Sequence, residues 1–191
     1  MTKAMFLINE GIFEQCNDIR PFKDAWIIMK FKRLPLNELQ KLEKEFVQFL
    51  SSNTVTADDW VKIKKESPEK ADELIDMFSD IVYQKVMEQI EFLEFRTATD
   101  MKQFKCEKER ITMMGLQLSE EAGLDLRKGE DLNRLDSVSE HISVYHAEKE
   151  YRPGREEEIF NMMNAGAAKT NGSLFKLIEN LYHQIKEHKE D

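Results

Sequence analysis

Cysteine is scarce in this chain: 191 residues hold two, Cys16 and Cys106, with no CxxC spacing. That excludes a disulfide framework and a zinc knuckle, and it fits a reducing compartment. Glycine and proline are also few, 7 and 4, well under what collagen-like or linker-like architectures require. Long apolar runs are missing. The longest, such as Met5 to Ile8 and Trp26 to Met29, fall far short of the roughly 20 residues of a membrane helix. Positive charge is outweighed, with 28 Lys and Arg against 37 Asp and Glu and a formal charge of −9, so the mean field repels phosphate backbones and anionic lipid surfaces. A nucleic-acid partner and a membrane partner are therefore not expected. What the chain does have is 41% hydrophobic residues, including 12 Phe and 10 Met, enough to close a core and to exclude wholesale disorder.

The opening 28 residues carry one short apolar run ended by Asn9-Glu10, followed by Glu14, Asp18 and Asp24. Neither a secretory nor an organellar leader has that form. The segment reads as an N-terminal extension, from a misassigned start or a disordered tail, and clean patterning begins at Met29. Residues 29–186 are expected to form a single α+β domain. Leu36, Leu39, Leu42, Phe46, Val47 and Leu50 predict one helix over about 35–50. Thr56-Ala57-Asp58-Asp59 has the form of a capping box ahead of a second, short helix. Ser67-Pro68 opens a longer one through Ala71, Leu74, Ile75, Phe78, Ile81 and Val82, with Asp72, Glu73, Asp76 and Asp80 opposite, facing water. The stripe drifts near residue 84, which predicts a bend, an end or a new neighbour.

From Phe92 the period shortens toward two. Residues 92–96, 101–106 and 110–118 predict three strands, and Ile142, Val144 and His146 alternating with Ser143, Tyr145 and Ala147 predict a fourth. Between them residues 119–136, rich in Glu and Asp with Gly123 and Gly129, read as an exposed, mobile acidic loop. Glu156, Glu157 and Glu158 suit the first turn of a helix that Gly166 terminates, and a last helix opens at Ser173. Helices, then clustered strands, then helices imply an α+β fold: an antiparallel sheet of about four strands with N-terminal and C-terminal helices packed on it.

No catalytic motif is present: no GxSxG, SxxK, HExxH, P-loop or GxGxxG in its structural context. His183, Glu187 and His188 share a helix terminus but lack a second pair of ligands, so no metal and no cofactor is expected. Cys106 alternates with Phe104 into a buried-looking position, where a thiol is inert. One segment concentrates cations and aromatics in an otherwise acidic chain: Tyr145, His146, Lys149, Tyr151, Arg152 and Arg155. It is a binding candidate, for an anion or for stacked bases, against the simpler reading of a strand edge protected by charge. Glu148, Glu150 and Glu156 to Glu158 interleave with it and offset its field.

The phrases Met29-Lys-Phe-Lys-Arg-Leu34, Glu43-Lys-Glu-Phe-Val-Gln-Phe-Leu50, Thr56-Ala-Asp-Asp-Trp60, Pro68-Glu-Lys-Ala71, Phe78-Ser-Asp-Ile-Val82, Leu93-Glu-Phe-Arg96, Ala147-Glu-Lys149 and Gly172-Ser-Leu-Phe175 stand together over residues 29–182. In that combination the chain resembles an uncharacterised family of small proteins found chiefly in the Bacteroidetes. The resemblance implies a cytoplasmic domain of unknown function and carries over no functional residue. A patterned fold without a reactive constellation predicts a non-enzymatic interaction or regulatory module, a homodimer or a binder of a protein partner through a helical face or a sheet edge. The alternative is a small enzyme or anion-binding protein centred on residues 145–155.

Overall fold

The computed structural model describes residues 29–190, with side chains through Lys186. The reading of residues 1–28 lies outside the described residues. The chain separates into two compact units, one ending at Glu88 and one starting at Gln89.

The first unit is helical. α1 (Leu36–Lys41) and α2 (Glu43–Ser52) replace the single helix expected, because Leu42 leaves helical geometry at φ −104°, ψ 25°. The break shifts the phase of the apolar stripe. Leu42, Phe49 and Leu50 are buried, while Leu36 and Val47 are 70% and 55% exposed. α3 (Ala57–Glu66) starts at the capping box: Thr56 Oγ1 accepts from the Asp59 amide at 3.2 Å, and Asp59 Oδ2 accepts from the Thr56 amide at 3.1 Å. The Thr56 hydroxyl, donating to Asp59 Oδ2 at 2.5 Å, and then the Thr56 amide hold the Asp59 carboxyl below its ordinary pKa. α4 (Pro68–Glu88) buries Ala71, Leu74, Phe78 and Val82. Phe78 stands at the centre of an aromatic cluster, 5.1 Å from Phe46 and 5.5 Å from Phe49 between ring centroids, and Phe46 meets Trp60 edge-on at 5.3 Å.

The acidic row on α4 does not simply face water. Asp80 accepts the amides of Lys30 and Phe31 at 2.7 and 2.9 Å, and Arg33 forks onto Asp76 at 2.5 and 2.9 Å and reaches Asp72 at 2.9 Å. Ser79 Oγ, fully buried, accepts the Leu34 amide at 3.1 Å. One face of α4 is thus a rail for residues 30–34, and the carboxylates raise the Arg33 guanidinium above its usual range. A carboxylate accepting backbone N–H groups replaces the water that a helical wheel assigns to it. The same segment explains the drift near residue 84: Tyr83 is buried and its ring stands 6.0 Å from Phe31.

The second unit is a sheet with helices. β1 (Phe92–Arg96), β2 (Asp100–Cys106), β3 (Arg110–Leu118) and β4 (Ile142–Glu150) form an antiparallel meander. A fifth strand, β5 (Ala168–Lys169), pairs antiparallel with β1, so the order is β4-β3-β2-β1-β5. The fold is α+β, with one strand more than expected; two residues are too short to show a period. One sheet face carries Met101, Met114, Leu116 and Leu118, and α7 (Ser173–Glu190) covers it with Phe175 and Ile178. Gly172 precedes α7 at φ +75°, and an added Cβ there would stand 2.6 Å from the Phe92 ring, so both backbone and space require glycine.

The stretch expected as an exposed acidic loop is partly built into this core. It contains a 3₁₀ turn, α5 (Gly129–Leu132) and a second 3₁₀ segment, Leu135–His141. Leu126 is fully buried in the cluster and its amide donates to Ala98 O at 2.8 Å. Asp131 is buried and accepts the Asp125 amide at 3.0 Å. Leu124 is buried with Leu126, and Ala122, Leu132, Leu135 and Val138 pack against the same cluster, so apolar residues scattered among charges without a period pin the segment. α6 (Arg155–Asn164) opens with the three glutamates as expected, and Gly166 follows it at φ +108°.

Candidate functional site

Strand alternation divides the candidate segment at once. Tyr145, Ala147 and Lys149 stand opposite Gly115, Met113 and Ile111 on one sheet face; Val144, His146 and Glu148 point to the face that α7 packs on. Tyr145 and His146 therefore cannot serve one ligand. Tyr145 lies across Gly115, where an added Cβ would meet its Cζ at 2.0 Å, and its hydroxyl donates to Asp100 Oδ1 at 2.5 Å. Burial and that carboxylate push the phenol well above its ordinary pKa. His146 Nε2 stands 3.3 Å from Glu148 Oε1, and its ring is 5.6 Å from Tyr182 of α7.

The other four converge where β4 runs into α6. Lys149 Nζ pairs with the buried Glu158 carboxylate, whose other oxygen accepts the Arg152 amide at 3.0 Å. The Arg152 side chain itself is exposed. Tyr151 donates its hydroxyl to Glu107 O at 2.9 Å. Arg155, with a side chain only 14% exposed, donates Nε to Glu107 O at 3.0 Å and Nη2 to Ile90 O at 2.6 Å and Cys106 O at 3.1 Å. One guanidinium thus ties the approach to β1, the end of β2 and the β2–β3 turn, the fork geometry that lysine lacks.

Beneath these groups sits Cys106, 6% exposed. Burial pushes its thiol up to about 11, against the opposing pull of the Arg155 charge and a hydrogen bond with Tyr151. A thiol held there is almost wholly protonated at neutral pH and is a poor nucleophile. The arrangement binds the chain's own carbonyls and carboxylates with the donors an anion would need, and chemically it is a clamp.

Glu158 and Glu107 complete the junction, and Asp100 and Gly115 seat Tyr145; Glu158 was read from sequence only as a helix-opening and field-offsetting charge, and the other three were not singled out. Gly115 carried a usable signal, since an isolated glycine inside a strand marks a close approach; the carbonyls of Ile90, Cys106 and Glu107 carried none. Elsewhere, Glu94 Oε2 collects Arg96 Nη2 at 2.6 Å and Gln103 Nε2 at 3.1 Å, while Arg96 Nε and Gln103 Oε1 are buried without a hydrogen-bond partner among the described residues. Among the described residues no group of three or more His, Cys, Asp or Glu is placed to hold a metal ion. His183 stacks edge-on against Tyr182, and the side chains of Glu187 and His188 lie outside the described residues.

A family model of unknown function, DUF6495, matches residues 29–183. The chain belongs to that family. No curated protein and no solved structure matches it. For this DUF6495 member the geometry is therefore the source of any functional argument, and the matched stretch takes in both units and every residue of the β4–α6 junction. No described helix is long and apolar enough to cross a membrane.

Proposed function

We propose that this DUF6495 member is a non-enzymatic, cytoplasmic protein-interaction module whose docking element is the free edge of β4. One observation carries the reading: β4 is nine residues long and ends the sheet, with no strand on its outer side among the described residues. The direction of its backbone groups follows from its neighbours. The Ser119 amide donates to His141 O at 2.9 Å while the Leu118 amide donates to Thr99 O at 2.7 Å, so odd-numbered β3 residues face β4 and even-numbered ones face β2. In the β3–β4 register the odd residues of β4 bond β3, and Ile142, Val144, His146, Glu148 and Glu150 turn their N–H and C=O groups outward. Such an edge accepts an added strand. Supporting the non-enzymatic half is the use of Tyr145, Lys149, Tyr151 and Arg155 on internal partners.

The test is Glu148→Pro, which removes one outward donor and leaves the β3 ladder intact. Tagged full-length chain is purified from its own cells beside this variant. A protein retained by the wild type and lost from Glu148→Pro is the expected result; identical retention by both overturns the reading, as does the absence of any retained protein together with a chain that does not self-associate.

A further inference from the structure

We infer that the strand seated on the β4 edge is β4 of a second copy of this chain, paired about a two-fold axis at Ala147; this rests on the edge-docking reading above and names its occupant. Two antiparallel copies of one strand are related by an axis perpendicular to the sheet. Opposed residues then share a face, and only a few registers exist.

Charge separates these registers. An axis at Glu148 sets Glu148 against itself and Ala147 against Lys149. With the axis at His146, that histidine faces itself, Val144 meets Glu148 and Ile142 meets Glu150. At Tyr145, Val144 meets His146 and Ile142 meets Glu148. Centring on Ala147 places the smallest side chain of the segment on the axis, His146 opposite Glu148 twice, and Lys149 opposite the Tyr145 ring twice. No like charges are opposed; Glu148 gains His146 as a partner, and Lys149, whose Nζ stays on Glu158, sets its aliphatic stem against the Tyr145 ring.

The main chain agrees. In that register the directly opposed pairs Val144–Glu150 and His146–Glu148, each occurring twice, are the outward-facing residues, so all of them exchange backbone hydrogen bonds. The interleaved charges that protect this edge from uncharged strands are matched by a copy of themselves, and that match favours self-pairing. A contact confined to one strand pair is small beside a standard interface of roughly 1,600 Å², so the dimer is weak and reversible.

The experiment uses the full-length chain with Cys16→Ser, and sedimentation together with single cysteines at three positions. The mass is expected to rise from one chain toward two between roughly micromolar and roughly millimolar protein. Under mild oxidation Ala147→Cys, at a non-hydrogen-bonded position on the axis, forms the disulfide-linked dimer at least about ten-fold faster than His146→Cys or Glu148→Cys. A single-chain mass at the highest concentration overturns the inference, as do faster cross-linking at 146 or 148 and a dimer that persists in Glu148→Pro. If the chain is monomeric while Glu148→Pro still loses a different co-purifying protein, only the second-copy inference falls and the edge-docking reading stands.

Discussion

Replacing Arg155 by methionine keeps the aliphatic volume and removes the fork that holds three carbonyls. Hydrogen bonds made by charged groups contribute about 1.5–3 kcal/mol each, and released carbonyls that stay buried add a desolvation penalty. Ile90 and Cys106 are 2% and 6% exposed, so their carbonyls have little access to water; the half-buried Glu107 is better placed to be hydrated. Counting two bonds fully and one by half gives a loss of about 4–7 kcal/mol. The measurement is urea unfolding followed by circular dichroism, comparing midpoints at unchanged slope. Arg155→Lys, which keeps the charge as a single point, recovers less than half of the loss. Arg127→Met, cutting an exposed pair with Asp125, leaves the midpoint within replicate scatter. A loss below about 1 kcal/mol for Arg155→Met, with binding of a small anion abolished, would refute the assignment of Arg155 as an internal clamp and restore it as a ligand-binding group.

Gly115→Ala drives the Tyr145 ring off its seat and breaks its bond to Asp100, for a loss of about 2 kcal/mol; the double variant with Tyr145→Ala loses less than the sum of the two single changes, measured by a thermodynamic cycle. Cys106 makes stability pH-dependent at the alkaline end. Its folded pKa of about 11 lies above the ordinary 9.0, so the stabilisation is complete below pH 9 and falls as pH rises through 11, by about 3 kcal/mol in all; Cys106→Ala makes the slope shallower and leaves the part due to Tyr83, Tyr145 and Tyr151, whose phenols are also raised, and unfolding midpoints at pH 8, 9.5 and 11 for both proteins provide the check. Thr56→Ala deletes the reciprocal cap of α3 and lowers stability by about 1 kcal/mol in the same urea assay, with an unchanged midpoint arguing that α3 is held by other contacts.

Elements whose signals are local were legible in the chain. The Thr56 box, Ser67-Pro68 and the alternation at 92–96, 101–106 and 110–118 place α3, α4 and β1 to β3 within a residue or so of where they lie. The candidate site was legible only as a list of residue types. Tyr145, Lys149, Tyr151 and Arg155 were picked out because cations and aromatics are unusual in an acidic chain, but what Tyr145, Tyr151 and Arg155 touch depends on residues more than forty positions away, such as Asp100 and Glu107, while Lys149 meets Glu158 across the turn into α6. The same limit applies to Asp72, Asp76 and Asp80, which a helical wheel sends to solvent and which instead hold Arg33 and the amides before it.

Composition, capping and periodicity act between neighbours along the chain, so they by themselves determined the α+β class, most element boundaries and the absence of a recognisable catalytic motif. Strand order is different, because it is chosen by pairings between distant segments competing for the same edges. A two-residue strand, Ala168–Lys169, takes the β1 side and leaves β4 at the other end of the sheet. No local pattern reports that choice, and the proposed docking edge follows from it.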